Sequence, residues 1–133
     1  MITQDIDIKE INWKLRIFYC PQPNQVNYVL SWLFNHGCIG VNYRRAMCLL
    51  RSGAYNTGLT YTNNDTRTSI IVIGNSSNIG EFVNTLSHEL NHFKEHVMSY
   101  LHIQDGGEDE AYFTGELCEI IYHDVVDKIF PCL

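Results

Sequence analysis

The chain has 133 residues, 45% of them apolar, and a formal net charge of -6. That length suits one domain with a real core, and that apolar fraction excludes a disordered chain. The acidic balance excludes a phosphate-backbone binder, because affinity for nucleic acid needs a basic surface.

The N-terminus, MITQDIDIKEINWK, is polar and acidic and does not read as a secretory signal. No apolar run approaches the length needed to span a bilayer. The five cysteines (Cys20, Cys38, Cys48, Cys118 and Cys132) are odd in number and form no CxxC pair. That argues against a disulfide framework and against a four-cysteine zinc site, and fits reduced thiols. The expectation is a cytoplasmic protein with no membrane partner.

Residues 12–19 alternate Trp13, Leu15, Ile17 and Tyr19 against Lys14, Arg16 and Phe18, the period of a strand. Pro21 and Pro23 stop it. From Asn24 to Asn35 the residues Val26, Val29, Leu30, Leu33 and Phe34 recur at helical spacing, and Gly37 closes the segment. A shorter helix is predicted over Tyr43–Arg51, ending near Gly53. Thr57–Thr62 alternates, and Arg67–Ile73 carries an apolar run typical of a buried strand. Asn63-Asn64-Asp65 between them reads as a hairpin turn.

Asn78 and Glu81 have capping-box spacing. Ile79, Phe82, Val83, Leu86, Leu90, Phe93, Val97 and Leu101 then form one apolar stripe, which predicts a long helix. Gly106-Gly107 breaks the pattern. A last helix is predicted from Glu108 to about Ile129, burying Phe113, Leu117, Ile120, Ile121 and Val125. The predicted fold class is α+β, one domain over residues 1–133, with helices packed on a small sheet.

His88-Glu89-Leu90-Asn91-His92 is HExxH, inside the long predicted helix. Residues four apart lie one turn apart on the same face, so both imidazoles can reach one cation. Zinc takes imidazole nitrogen and leaves a position for water. Glu89, beside the first histidine, is placed to take a proton from that water. On the helical wheel His88 and His92 fall roughly opposite the stripe through Leu86, Leu90, Phe93 and Val97.

A third ligand has to come from elsewhere. Glu95 and Met98 stand where the metzincin pattern needs Gly and His, which excludes that class. Asp105, Glu108, Asp109, Glu110, Glu116, Glu119, Asp124 and Asp127 fall in one stretch without a Lys or Arg. Most of these fit a solvated helix face, and one or two are candidates to bind the cation.

Glu108-x-x-Ala111-Tyr112-x-x-Gly115 resembles the second motif of the gluzincin metallopeptidases. The resemblance covers about Asn78 to Glu119, and the chain also looks like small HExxH proteins of phages and mobile elements. It implies a minimal zincin-like fold, a Zn2+ cofactor held by His88, His92 and Glu108, and a peptide or protein substrate. It also implies that Ala111 and Gly115 are small so that the two helices approach. Tyr112 stands where the family usually has Asp, and would make a contact behind a ligand or stabilise an oxyanion. A competing alignment, Gly106-x-x-Asp109-x-x-Tyr112, resembles the aspzincin motif and offers Asp109 as ligand, although Phe113 replaces the Gly expected after the Tyr. Glu110 is a further alternative.

His96, one turn beyond His92, reads as a surface histidine or an extra ligand. His36, His102 and His123 read as structural or exposed. By analogy with zincins, Tyr61 and the strand at Arg67–Ile73 are candidates for binding an extended peptide. The expected activity is a zinc-dependent peptidase with Glu89 as general base. The alternatives are a zincin-fold binding or structural protein without turnover, and a helical packing domain without metal.

Overall fold

A computed structural model describes residues 1–103 and 106–128, with side chains as far as His123. Asp105, Ile129 and Cys132, and the side chains of Asp124, Val125 and Asp127, lie outside the described residues. The elements are β1 (Ile2–Ile8), β2 (Trp13–Tyr19), α1 (Val26–Asn35), α2 (Gly40–Ser52), β3 (Gly58–Asn63), β4 (Thr68–Ile73), α3 (Ile79–Leu101) and α4 (Glu108–Lys128).

The four strands form one mixed sheet in the order β1-β2-β4-β3. β1 pairs antiparallel with β2 from Ile2↔Tyr19 to Ile8↔Trp13. β2 and β4 are parallel, and β3 closes antiparallel on β4. Helices cover both faces of this α+β fold. Because side chains alternate across a strand, β2 sends Trp13, Leu15, Ile17 and Tyr19 to a core shared with α3 and α4, and Phe18 to a second core under α1 and α2. β4 does the same with Ile71 and Ile73 on one side and Ile70 and Val72 on the other. Its unbroken apolar run follows from burial on both faces.

That arrangement changes one expectation. The strand read at Arg67–Ile73 lies inside the sheet with both edges paired, so it offers no edge to a peptide. The open edge on that side belongs to β3. Tyr61 points toward α1, where its hydroxyl donates to the His36 carbonyl at 2.9 Å. The hairpin between β3 and β4 is where the sequence puts it: Asn63 Oδ1 accepts from the Asp65 and Thr66 N–H groups at 3.0 and 3.2 Å, an Asx turn.

α3 begins at the predicted cap, with the Asn78 side chain accepting from the Glu81 N–H at 2.9 Å. Phe82, Leu86, Phe93 and Val97 enter the core as expected, while Ile79 is half exposed. Thr85 and Glu89 are also buried, on the flank that meets β3. α4 packs on α3 through Phe113, Leu117 and Ile121, and Ile120 stays exposed. The expected approach at Ala111 and Gly115 is not made: both are exposed, and a Cβ on Gly115 would meet nothing within 4 Å. Spacing of 113, 117 and 121 selects the apolar face, and 111 and 115 lie off it.

No helix among the described residues is long and apolar enough to cross a membrane. Cys20, Cys38, Cys48 and Cys118 form no disulfide among the described residues. The Asn78 cap satisfies a backbone donor at the start of the helix that carries HExxH. Asn78→Ala should therefore lower stability by about 1 kcal/mol in urea unfolding of the metal-free protein, and an unchanged midpoint would show that the cap does not hold the helix start.

Candidate metal centre

His88, Glu89 and His92 come together on α3, with one ligand atom from each lying within 4.8 Å of the others. The histidines sit toward the surface, His88 exposed and His92 half-buried, and Glu89 is 4% exposed. This differs from a simple wheel with polar residues on the far side. Glu89 belongs to the boundary between the apolar stripe and the imidazole face, and β3 covers that boundary.

The cover is close. A Cβ on Gly58 would lie 2.8 Å from Glu89 Cγ, 3.1 Å from Thr85 Cγ2 and 3.1 Å from the Val72 carbonyl oxygen. Only a residue without a side chain lets β3 and α3 approach this far. Thr60, two residues on, donates from Oγ1 to the Glu89 carbonyl at 3.1 Å and pins the strand to the helix at the same level.

The two imidazoles stand with ring centroids 4.6 Å apart at 87°, and their Nε2 atoms are 3.1 Å apart. Two bare ring nitrogens repel at that distance, so a proton or a cation has to lie between them. Two imidazoles on one tetrahedral zinc, each about 2.0–2.1 Å from it, place their nitrogens about 3.3–3.4 Å apart. The observed separation is within a few tenths of an ångström of that value. One carboxylate oxygen of Glu89, Oε2, is buried with no hydrogen-bond partner among the described residues. Buried polar atoms are rarely left so, and an ion or the water beside it would satisfy this one. The residues present therefore fit a metal ion.

Burial pushes the Glu89 carboxyl above its ordinary pKa; the His88 and His92 imidazoles and the Thr60 hydroxyl pull the other way without cancelling the rise. A carboxylate held in this way is a stronger base than an exposed one.

The acids of α4 are placed as follows. Glu110 pairs with Lys94 of α3 at 3.0 Å and accepts from the Gly106 N–H, and these contacts lower its pKa, the backbone bond most. Glu108 and Asp109 are exposed at the helix start and are not part of the three-residue cluster. Tyr112 is 70% exposed.

Two neighbours of the cluster escaped the sequence reading. Glu95 Oε2 is 3.8 Å from His92 Nδ1, and Asn91 Nδ2 donates to Glu95 Oε1 at 3.2 Å. This places a carboxylate near the outer nitrogen of the His92 ring, beyond hydrogen-bond distance, and the acid three residues after His92 was the available signal. Thr62 Oγ1 meets His96 Nδ1 at 2.9 Å, a contact that depends on strand register and has no signal in the chain itself. His96 lies at the surface as expected, and it also lines a groove of about 430 Å³ against β3, together with Asn42, Arg45, Thr60, Tyr61 and Thr62.

No known protein family, curated protein or solved structure matches this chain.

The close fit at Gly58 is open to a direct test. Gly58→Ala should destabilise the protein by about 1–3 kcal/mol through overpacking. In the double variant with Glu89→Ala much of that cost should disappear, because Glu89 Cγ is the nearest atom; additive costs in urea unfolding would show that the two residues do not press on each other.

Proposed function

We propose that the chain is a zinc-dependent peptidase in which His88 and His92 hold the metal and Glu89 is the general base. The observation that carries this reading is the convergence of the two Nε2 atoms beside a buried carboxylate oxygen that lacks a partner. A purely structural histidine pair has no need of the third group.

A bound zinc supplies Lewis acidity and lowers the pKa of a water molecule. The protein supplies the rest. Glu89 takes the proton of the attacking water and later passes it to the leaving amine. Its position beside Gly58 keeps it from rotating away. The open edge of β3 gives an extended peptide a row of backbone donors and acceptors, in the manner of strand addition. The groove against β3 gives its side chains room.

We assign the third ligand to Glu108. Glu110, at the same helix start, is already engaged by Lys94 and Gly106, and Glu108 occupies the ligand position of the gluzincin-like motif. A second reading, a zincin-fold binding protein without turnover, is favoured by the exposure of Glu108 and Tyr112. The retention of Glu89, which is not needed to hold the metal, opposes it.

The protein purified with zinc should carry about one zinc per chain by elemental analysis. His88→Ala and His92→Ala should lose it. Glu108→Ala should weaken zinc binding more than Asp109→Ala does. Glu89→Gln should keep the metal and lose cleavage of a quenched-fluorescent peptide library. Zinc binding with no cleavage by the wild type would leave the non-hydrolytic reading, and no zinc at all would end both.

A further inference from the structure

A chain of hydrogen bonds runs from the core to the surface of the groove. Trp13 Nε1 meets Ser69 Oγ at 3.0 Å, Ser69 Oγ meets Thr62 Oγ1 at 2.8 Å, and Thr62 Oγ1 meets His96 Nδ1 at 2.9 Å. Its direction follows from the donors each group owns. The indole N–H only donates, so Ser69 accepts from Trp13. Ser69 is fully buried, and its own hydrogen needs an acceptor inside the protein. Thr62 Oγ1 is the other atom it reaches. With Ser69 donating to it, Thr62 keeps its own hydroxyl hydrogen to give, and His96 Nδ1 at 2.9 Å is the side-chain atom within its reach.

A histidine that accepts at Nδ1 carries its proton at Nε2. We propose that the Trp13–Ser69–Thr62 chain holds His96 as the Nε2–H tautomer, and that this N–H is the donor that binds the carbonyl oxygen of a peptide lying along β3 as negative charge develops on it. The proposal rests on the peptidase reading above. Three further observations support it. His96 follows His92 by one turn on the same helix. Its ring lines the groove beside Thr60 and Thr62, which belong to the open-edged strand. Desolvation against β3, with His92 adding to it and Glu95 opposing, lowers its pKa from the usual histidine value, a shift toward the neutral ring. Both ring nitrogens are then committed, one lone pair to Thr62 and the other nitrogen to its proton, so His96 is a donor to substrate and not a further metal ligand. Tyr112, the residue whose position in the sequence suggested this task, is 70% exposed on α4.

The test has two arms on the zinc-loaded full chain. Long-range 1H–15N correlation NMR reads the tautomer: His96 Nδ1 should show the shift of a nitrogen without hydrogen and Nε2 that of an N–H. Thr62→Val should release this preference. Kinetics with the best-cleaved member of a quenched-fluorescent peptide library reads the role. His96→Phe should lower kcat by about 10²-fold or more with KM and zinc content nearly unchanged, the loss expected for one oxyanion donor. His96→Gln, which keeps an N–H donor, should recover part of it. Thermal melts of each variant exclude misfolding. A proton on Nδ1, or a His96→Phe variant within twofold of wild-type kcat while Glu89→Gln is dead, would overturn the proposal and leave the peptidase reading standing. Zinc-loaded wild type that cleaves nothing would overturn the peptidase reading and the role of His96 with it, while the NMR arm would still report whether the relay exists.

Discussion

The contact between β3 and α3 at Gly58 and Glu89 sets the geometry of everything around it. An α-helix lying on a sheet is free to roll until something fixes its rotation. Here the absent side chain of Gly58 admits Glu89 Cγ and Thr85 Cγ2 into the strand. Thr60 then holds the helix backbone at the Glu89 carbonyl. With that flank locked, His88 and His92, one position before and three after Glu89, turn outward together and their Nε2 atoms converge. Burying a carboxylate is costly unless it gains a partner. One oxygen of Glu89 has none among the described residues, which leaves it open to an ion or a water.

The apolar framework serves that contact. β2 and β4 are parallel, β4 is buried on both faces, and α3 docks on the side that carries Trp13, Leu15, Ile17, Ile71 and Ile73. Trp13 has a double use. Its ring fills the core against α3, with Tyr100 edge-on at 5.6 Å, and its N–H begins the polar chain that ends at His96. Polar groups buried in this way have to be fully paired to be tolerated, and Trp13 and Ser69 are.

Much of this was legible in the sequence, and the parts that were not share a cause. The stripe from Phe82 to Val97, the Asn78 cap, the alternation of β2 and the Asn63 turn are local signals, and local periodicity reports them well. HExxH named the cluster itself because its spacing is a property of one helix. β1 passed unread although Ile2, Gln4, Ile6 and Ile8 all face the α3 side of the sheet. Gln4, a polar residue on the buried face, interrupts the period, and Asp5, on the opposite face, forms a bidentate pair with Arg16. The burial of Glu89, the exposure of Ala111 and Gly115, and the Thr62–His96 contact are tertiary facts. They depend on which strand lies at the sheet edge and how far the helix has rolled. A wheel drawn for one helix shows two faces, whereas α3 has three, and the third is the one that meets β3.

The central claim is that two imidazole nitrogens converge on a single metal ion. Zinc K-edge X-ray absorption on the zinc-loaded chain tests it most directly, because it reads ligand type and distance without assuming any activity. The account predicts two imidazole nitrogens at about 2.0–2.1 Å in a four-coordinate shell completed by oxygen. A shell containing sulfur at about 2.3 Å, or one without the multiple scattering of imidazole rings, would contradict it.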